Sequence, residues 1–562
     1  MMPRTSASKR RVRLLAGVAA LAVASTGAAY AASLTETGGA NRHHGDQTAD
    51  IAAQIKYGKA KNVILFIGDG MGDSEITVAR DYLVGASGKL EGIDSLPLSG
   101  QYTTYALHKG DDPLTPTDDT GKPDYVTDSA ASGTGWSTGT KSYNGAISVG
   151  LDGKTEHQTL LEWAKSHGLK TGDITTAEVQ DATPAVELSH VADRGCYMPG
   201  TDKTQTVTVD GKAQFKGMNN CPSQSLSIEE QIVKTRADVV MGGGRGWFDA
   251  KQADGKTVYE AAKAAGYQVP ETKADLDAIT KADQTSPVLG LFASGNFQTR
   301  FKATPATPTG YKNPPTTCQP NDVAPDGSAN TWPGTQPTLA QMTKKSIDLL
   351  DNDKGFFLQV EGASIDKQDH AANPCGQIGE TKDLDEAVKV GMDFAKTHGD
   401  TLVIVTADHA HTSQIINAQD IGADGSSSVP LAGTRNLLTA DGTTLTVAYG
   451  TAQLNGSQQH TGTQLRVAGY GPGAANVVGL SDQTDIFNTV KGALSGVGLD
   501  KAPAPGTVVK TVTKEVVPAK VKAQVAHRIS VLKKQLRHAK GDRKVRLKAQ
   551  LAAYQAVQRS MR

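Results

Sequence analysis

Cysteine is scarce in this sequence, with four in 562 residues, and none lies in a CxxC pair. That spacing argues against a thiolate zinc site and against a dithiol redox motif. Long apolar runs are nearly missing too. The one candidate, residues 14–24, falls short of the roughly 20 residues a stable membrane span needs. With no second run of that kind, the mature chain is expected to be soluble. Net charge is absent as well: 58 Lys and Arg balance 58 Asp and Glu. Taken at face value, neutrality excludes a nucleic-acid or strongly acidic partner. The average conceals a split. Residues 1–31 carry Arg4, Lys9, Arg10, Arg11 and Arg13 without an acid, a charge of +5. Residues 510–562 set 15 Lys and Arg against Glu515 and Asp542, a charge of +13, which leaves −18 for the stretch between. No internal repeat is evident.

What is present begins with an export signal. The basic stretch ends at Arg13, the apolar run follows, and Ala29-Tyr30-Ala31 offers a small-x-small cleavage site, so residues 1–31 read as a signal peptide. Arg10-Arg11 admits a twin-arginine route beside the general secretory one. In an exported protein the four cysteines permit three pairings, of which the sequential one, Cys196–Cys221 and Cys318–Cys375, is the simplest. Residues 32–58, which include His43-His44, read as a flexible polar lead-in.

Apolar β-rich runs then alternate with helical patterns. Residues 62–67, 171–176, 238–241, 288–292, 355–360, 401–406 and 465–470 read as strands. Residues 158–167, 338–351 and 381–398 read as amphipathic helices. Strands apolar throughout, separated by helices, imply an α/β fold: a doubly wound, largely parallel central sheet with helices on both faces. Residues 200–332 are richer in Pro, Thr, Asn and Gly and read as holding surface insertions. A linker is expected at 499–518. Past it, Val521, Val525, Ile529, Leu532 and Leu536 recur at three- and four-residue steps, and Gly541-Asp542 interrupts the pattern. Residues 519–562 therefore form a basic helical hairpin, a C-terminal appendage outside the body at 59–498.

Four strands run into acids. The first leads to Gly68-Asp69-Gly70, that at 171–176 to Glu178 and Asp181-Ala182-Thr183, that at 355–360 to Glu361, and that at 401–406 to Asp408-His409-Ala410-His411. Ligands of open α/β sheets sit outside the carboxyl ends of strands. One such acid is best read as a helix cap; four, with histidines beside them, are not. Gathered carboxylates repel unless cations neutralise them, and carboxylate with imidazole or hydroxyl suits zinc or magnesium. Thr127 and Asp128 are N-cap residues, placing Ser129 in a first helical turn whose free N–H groups favour phosphate. By itself Ser129 fits a nucleophile and a plain capping residue equally.

Several longer stretches carry a resemblance: Val126-Thr127-Asp128-Ser129-Ala130-Ala131-Ser132, Gln180-Asp181-Ala182-Thr183-Pro184, the run from Val360 to His370, the run from Thr406 to His411, and Gln459-His460-Thr461-Gly462. Together, and in this order, they resemble bacterial alkaline phosphatases, most strongly the enterobacterial periplasmic members, over most of residues 55–497. The resemblance implies a phosphomonoesterase with Ser129 as nucleophile. It also implies two zinc ions, one held by Asp366, His370 and His460 and the other by Asp69, Asp408 and His409. A magnesium ion would share Asp69 and be completed by Asp181, Thr183 and Glu361. Arg194 would grip two phosphate oxygens, Lys367 would add charge through water, and His411 would lie outside the ligands. His190, by contrast, reads as a packed histidine, and His527 and His538 as solvated. The family further implies a homodimer acting on small-molecule phosphate monoesters in an extracytoplasmic, periplasmic or cell-wall-associated setting. Two rivals on the same fold, a diesterase and a sulfatase, are disfavoured by Arg194 and by the missing modified-residue motif. The basic tail, outside the resemblance, fits either a solvated hairpin or contact with an anionic cell envelope, with no specific nucleic acid expected.

Overall fold

Asn62–Gly68 (β1) spells NVILFIG and is buried at all seven positions. A strand apolar on both faces needs cover on both sides and pairing at both edges. β1 has them. It lies between Phe356–Gly362 (β6) and Thr401–Ala407 (β7), parallel to each, with Ile67 opposite Glu361 on one side and Thr406 on the other. The sheet is completed by Leu98–Thr103 (β2), Lys170–Glu178 (β3), Val239–Gly243 (β4), Val288–Leu291 (β5), Leu465–Tyr470 (β8) and Gly479–Asp482 (β9). Its nine strands run in the order β9-β2-β8-β7-β1-β6-β3-β4-β5, and β8 alone among them is antiparallel to its neighbours. The doubly wound, largely parallel sheet is as the alternation of strands and helices implied.

In this computed structural model the described residues are 40–110 (without 41 and 44), 119–421 (without 202 and 204), 433–496 (without 454 and 455), 519–538 and eight positions between 544 and 555. The chain divides into two units, Met1–Lys501 and Ala502–Arg562. In the first, two groups of helices cover the sheet. Pro374–His398 (α7) touches both Asp73–Val84 (α1) and Leu339–Leu350 (α5); Ser129–Thr138 (α2) touches Leu160–Ser166 (α3), Ala182–Leu188 (α4) and Gln483–Ser495 (α8). α7 starts seven residues before the expected 381, because Asn373 caps it and Pro374 occupies its first turn, where a missing N–H costs nothing.

Two sheet strands had no clear signature. β2 is LSGQYT, buried at two of its six positions, and β9 is GLSD, buried at none. A three-stranded antiparallel sheet of Gln414–Ile416, Gly433–Leu438 and Thr444–Tyr449 was also unforeseen. The stretch 200–332 holds β4, β5 and the hairpin Val207–Val209/Lys212–Gln214 besides its loops. Within 32–58, Thr48–Gln54 is a helix that buries nothing. Both disulfides form in the sequential pairing, Cys196–Cys221 and Cys318–Cys375.

The second unit contains Ala519–His538 (α9). Leu532 and Leu536 of α9 cluster with Leu547 and Leu551, so an apolar seam closes within this unit. The break expected at Gly541-Asp542, the signal peptide and the linker lie outside the described residues. Among the described residues no helix is long and apolar enough to cross a membrane.

Candidate metal centre and nucleophile

The carboxyl ends of β1, β6 and β7 lie side by side, so the residues that follow them meet. Asp69 follows β1, Glu361 is the sixth residue of β6, and Asp408 and His409 follow β7. Directly after β6, Ser364–His370 (α6) brings Asp366, Lys367 and His370 over the same end. Gly70 makes this approach possible. It adopts φ +69°, and a Cβ there would lie 2.9 Å from the Asp366 Cα. The Asp366 N–H in turn donates to the Asp69 carbonyl at 2.9 Å.

Two donor clusters result. In one, Asp69, Asp408 and His409 bring their ligand atoms within 4.8 Å of one another. His409 Nε2 lies 3.1 Å from Asp408 Oδ2 and 3.5 Å from Asp69 Oδ1. The Gly70 and His409 N–H groups hold Asp408 Oδ1 at 2.9 and 2.8 Å, which turns Oδ2 inward. In the other, the Nε2 atoms of His370, His411 and His460 converge on Asp366 Oδ1 at 3.3, 3.2 and 3.3 Å. His370 Nδ1 contacts the Gln458 carbonyl and Ser457 Oγ, and His460 Nδ1 sits 3.1 Å from the Thr127 carbonyl. Bonds at Nδ1 leave Nε2 as the free nitrogen, the orientation a metal-binding histidine needs. His411, read as lying outside the ligands, stands within this cluster.

The fit to cations can be judged from the oxygens. Asp69 Oδ1, Asp366 Oδ1, Asp408 Oδ2 and Thr183 Oγ1 are all buried and accept no hydrogen bond. A buried polar atom without a partner costs about 1–3 kcal/mol, more for a charged group. Cations bound here would supply the partners that these oxygens lack. The electrostatics agree. Burial, then Asp408 and Asp366, push the Asp69 carboxyl well above its ordinary range. Burial alone would raise Asp366, yet His411 and His460 hold it well below. Burial, aided by His460, keeps His409 neutral far below its ordinary value.

Ser129 opens α2. Asp128 caps that helix, its carboxylate accepting from the Ala131 N–H at 2.9 Å. Ser129 Oγ is buried and stands 3.4 Å from His409 Nε2. Arg194 reaches the same end, donating from Nη1 to Asp128 Oδ2 at 3.2 Å and from Nη2 to Asp181 Oδ1 at 2.9 Å. Asp181 is more crowded than the sequence implied. Its Oδ2 accepts from Lys367 Nζ at 2.8 Å and its Oδ1 also from the Tyr197 hydroxyl at 3.1 Å. Burial would raise this carboxyl, but Lys367 and Arg194 hold it well below its ordinary range. Both oxygens of Asp181 thus face cationic or hydroxyl donors. Nearby, Thr183 Oγ1 is buried without a partner, and Glu361 accepts from Thr175 Oγ1 and is pushed by burial up to about 7. Tyr197 and Thr175 carried no signal in the sequence. His190 is packed, between the Ser148 carbonyl at 3.0 Å and Glu162 at 3.1 Å. The cleft of about 1000 Å³ that His190 lines with Lys154 and Gln231 contains none of the site residues.

Fold and site together define a class: metal-dependent α/β enzymes whose strand ends supply carboxylates and imidazoles beside a helix-borne serine. The sequence profile of the family Alkaline phosphatase matches residues 60–455. The chain is 53% identical over 467 residues to alkaline phosphatase of Escherichia coli (strain K12), spanning 82% of this chain and 92% of that protein. It is 52% identical over 474 residues to alkaline phosphatase H of Pseudomonas aeruginosa (strain UCBPP-PA14), spanning 82% and 91%. Alkaline phosphatase from the Antarctic bacterium TAB5 shares the fold, with a TM-score of 0.54 at 22% identity over 78% of this chain and 99% of that one. The chain belongs to the alkaline phosphatase family and is a phosphomonoesterase.

Proposed function

We infer that this is an exported enzyme that hydrolyses phosphate monoesters through a phosphoserine at Ser129, with two zinc ions and one magnesium ion. Asp366, His370 and His460 would hold the first zinc; Asp69, Asp408 and His409 the second; Asp69, Thr183 and Glu361, with Asp181 nearby, the magnesium. The observation carrying this reading is the buried Ser129 Oγ, 3.4 Å from His409 Nε2 and beside carboxylate oxygens that no hydrogen bond satisfies.

Bound cations would lower the pKa of the Ser129 hydroxyl and of a water, and would offset charge on the departing oxygen. The chain supplies the rest. The first turn of α2 aims free N–H groups and the positive end of its dipole at a phosphate. Arg194 would fork onto two non-bridging oxygens, and its existing bonds to Asp128 and Asp181 hold the guanidinium ready for that grip. Ser129 attacks phosphorus opposite the leaving oxygen, the ester bond breaks, and a new O–P bond forms at Oγ. Water then cleaves that bond and releases inorganic phosphate. Lys367, beside Asp181, adds positive charge where the phosphoryl oxygens gather. A diester has one oxygen fewer for Arg194, which favours monoesters.

The test combines metal analysis of the purified protein with Ser129→Ala. Two zinc and one magnesium per chain, and a collapse of nitrophenyl phosphate hydrolysis in the variant, are expected. Absence of zinc, or faster turnover of bis-nitrophenyl phosphate, overturns the reading. A homodimer and contact of the basic tail with an anionic envelope extend it.

A further inference from the structure

The second unit is where the chain keeps charge that the enzyme does not use. α9 carries six Lys and Arg (Lys520, Lys522, Arg528, Lys533, Lys534 and Arg537) and no acid in its 20 residues. A helix that merely stands in solvent gains from mixed signs, because opposite charges three or four residues apart attract and like ones repel. Here Lys533 and Lys534 both face Arg537 at those spacings, so both pairs repel. The helix therefore holds a repulsion that its own sequence does nothing to relieve.

The apolar side of α9 is already covered. Leu532 and Leu536 pack with Leu547 and Leu551, and the exposed large hydrophobic among the described residues of this unit is Tyr554. Among the described residues of α9 no large apolar side chain is exposed, so contact made by its outer face is electrostatic. Arg528, Lys533, Lys534 and Arg537 are all exposed. At 100° per residue they fan over an arc of about 220° on the side away from the leucine seam. A flat anionic surface reaches about half a helix's circumference at once. A flexible chain can curl along the whole arc.

We propose that the C-terminal unit is a docking hairpin for a linear polyanion, a polymer carrying phosphate or a similar charge at every repeat. This partner is independent of the active-site chemistry, so its success or failure says nothing about Ser129. Binding would release condensed counterions. With four contacts, affinity should fall with salt at a log–log slope of about −3, roughly 50-fold between about 50 and 200 mM.

The experiment uses the full-length chain and synthetic poly(glycerol phosphate) as the probe, with phosphatidylglycerol vesicles compared at equal phosphate concentration. The wild-type chain should bind the polymer with that slope and more tightly than the vesicles. The combined variant Arg528→Gln, Lys533→Gln, Lys534→Gln and Arg537→Gln should lose at least tenfold in affinity and about 3 in slope. Its helix content and nitrophenyl phosphate turnover should stay at wild-type levels. Arg528→Lys with Arg537→Lys, which keeps the charge, should bind like wild type. Equal polymer binding by the glutamine variant overturns the proposal, as does tighter binding of the full chain to vesicles. Loss of binding in the charge-preserving variant would also overturn it, since charge would then not be what the polymer reads.

Discussion

Glu187→Gln should make this enzyme more stable in alkali while hardly changing it in weak acid. Glu187 lies on α4 with no exposed surface. One carboxylate oxygen accepts from the Leu161 N–H at 2.9 Å, and the other accepts nothing. Burial, opposed by the Leu161 bond and helped by Glu162, raises its pKa from 4.5 to about 8. The raised value means that the folded chain keeps a proton the unfolded chain has lost. Stability therefore falls as pH climbs from about 4.5 to about 8, and stays lowered above that. Each unit is worth about 1.4 kcal/mol, so the span from pH 5.5 to 8 costs on the order of 3 kcal/mol. Glutamine keeps the acceptor for Leu161 and carries no titrating proton. It also relieves Asp173, whose carboxyl burial and Glu187 together push well above its ordinary range. Urea midpoints of both proteins, measured at pH 5.5 and pH 8 with saturating zinc and magnesium, provide the assay. The variant's advantage should grow by about 3 kcal/mol between the two. Parallel pH dependence in both proteins would refute the argument, because it would mean that Glu187 is already ionised in the fold.

Arg194→Ala removes a charged fork whose hydrogen bonds are worth about 1.5–3 kcal/mol each, so kcat/KM for nitrophenyl phosphate should drop about a hundredfold or more. Inorganic phosphate should inhibit that variant correspondingly less. Gln359→Leu should lower both Tm and magnesium retention. The buried Gln359 amide accepts from Trp136 Nε1 at 2.9 Å and donates to the Thr183 carbonyl at 2.8 Å, joining the helix of the nucleophile to a residue of the proposed magnesium site. Unchanged magnesium titration in that variant would show that the link is not used. Chelation by EDTA should lower Tm by several degrees, and zinc with magnesium should restore it, because Asp69, Asp366 and Asp408 otherwise crowd together without counter-charge. A Tm indifferent to chelation would contradict the assignment of the unpaired oxygens to cations.

Sequence patterning made the centre of the fold readable and left its margins obscure. β1, β6 and β7 are buried at every position because they are covered on both faces, and their apolar runs stand out in a sequence. β2 and β9 escape notice since one is interrupted by Ser, Gly and Gln and the other is four residues at an exposed edge. The acids at the strand ends were visible because the fold class says where ligands gather. His411, read as lying outside the ligands, stands beside Asp366 at 3.2 Å. The grip of Tyr197 and Arg194 on Asp181 spans an irregular loop that no periodicity describes, and Lys367 reaches Asp181 from 186 residues away.

His460 joins Asp366, a residue on the far side of β7, and about four hundred residues separate it from Asp69. A cluster drawn from such distant points closes late. While the chain is being made, a nascent segment that ends before residue 460 owns most of the acids and none of the final imidazole. Loop closure over such spans is slow, so the cluster around Asp366 should mature as one of the last events of folding. Cations that arrive afterwards would act as a latch on a finished body rather than as a seed for it. Any shortening that removes His460 should therefore take an imidazole from the cluster around Asp366.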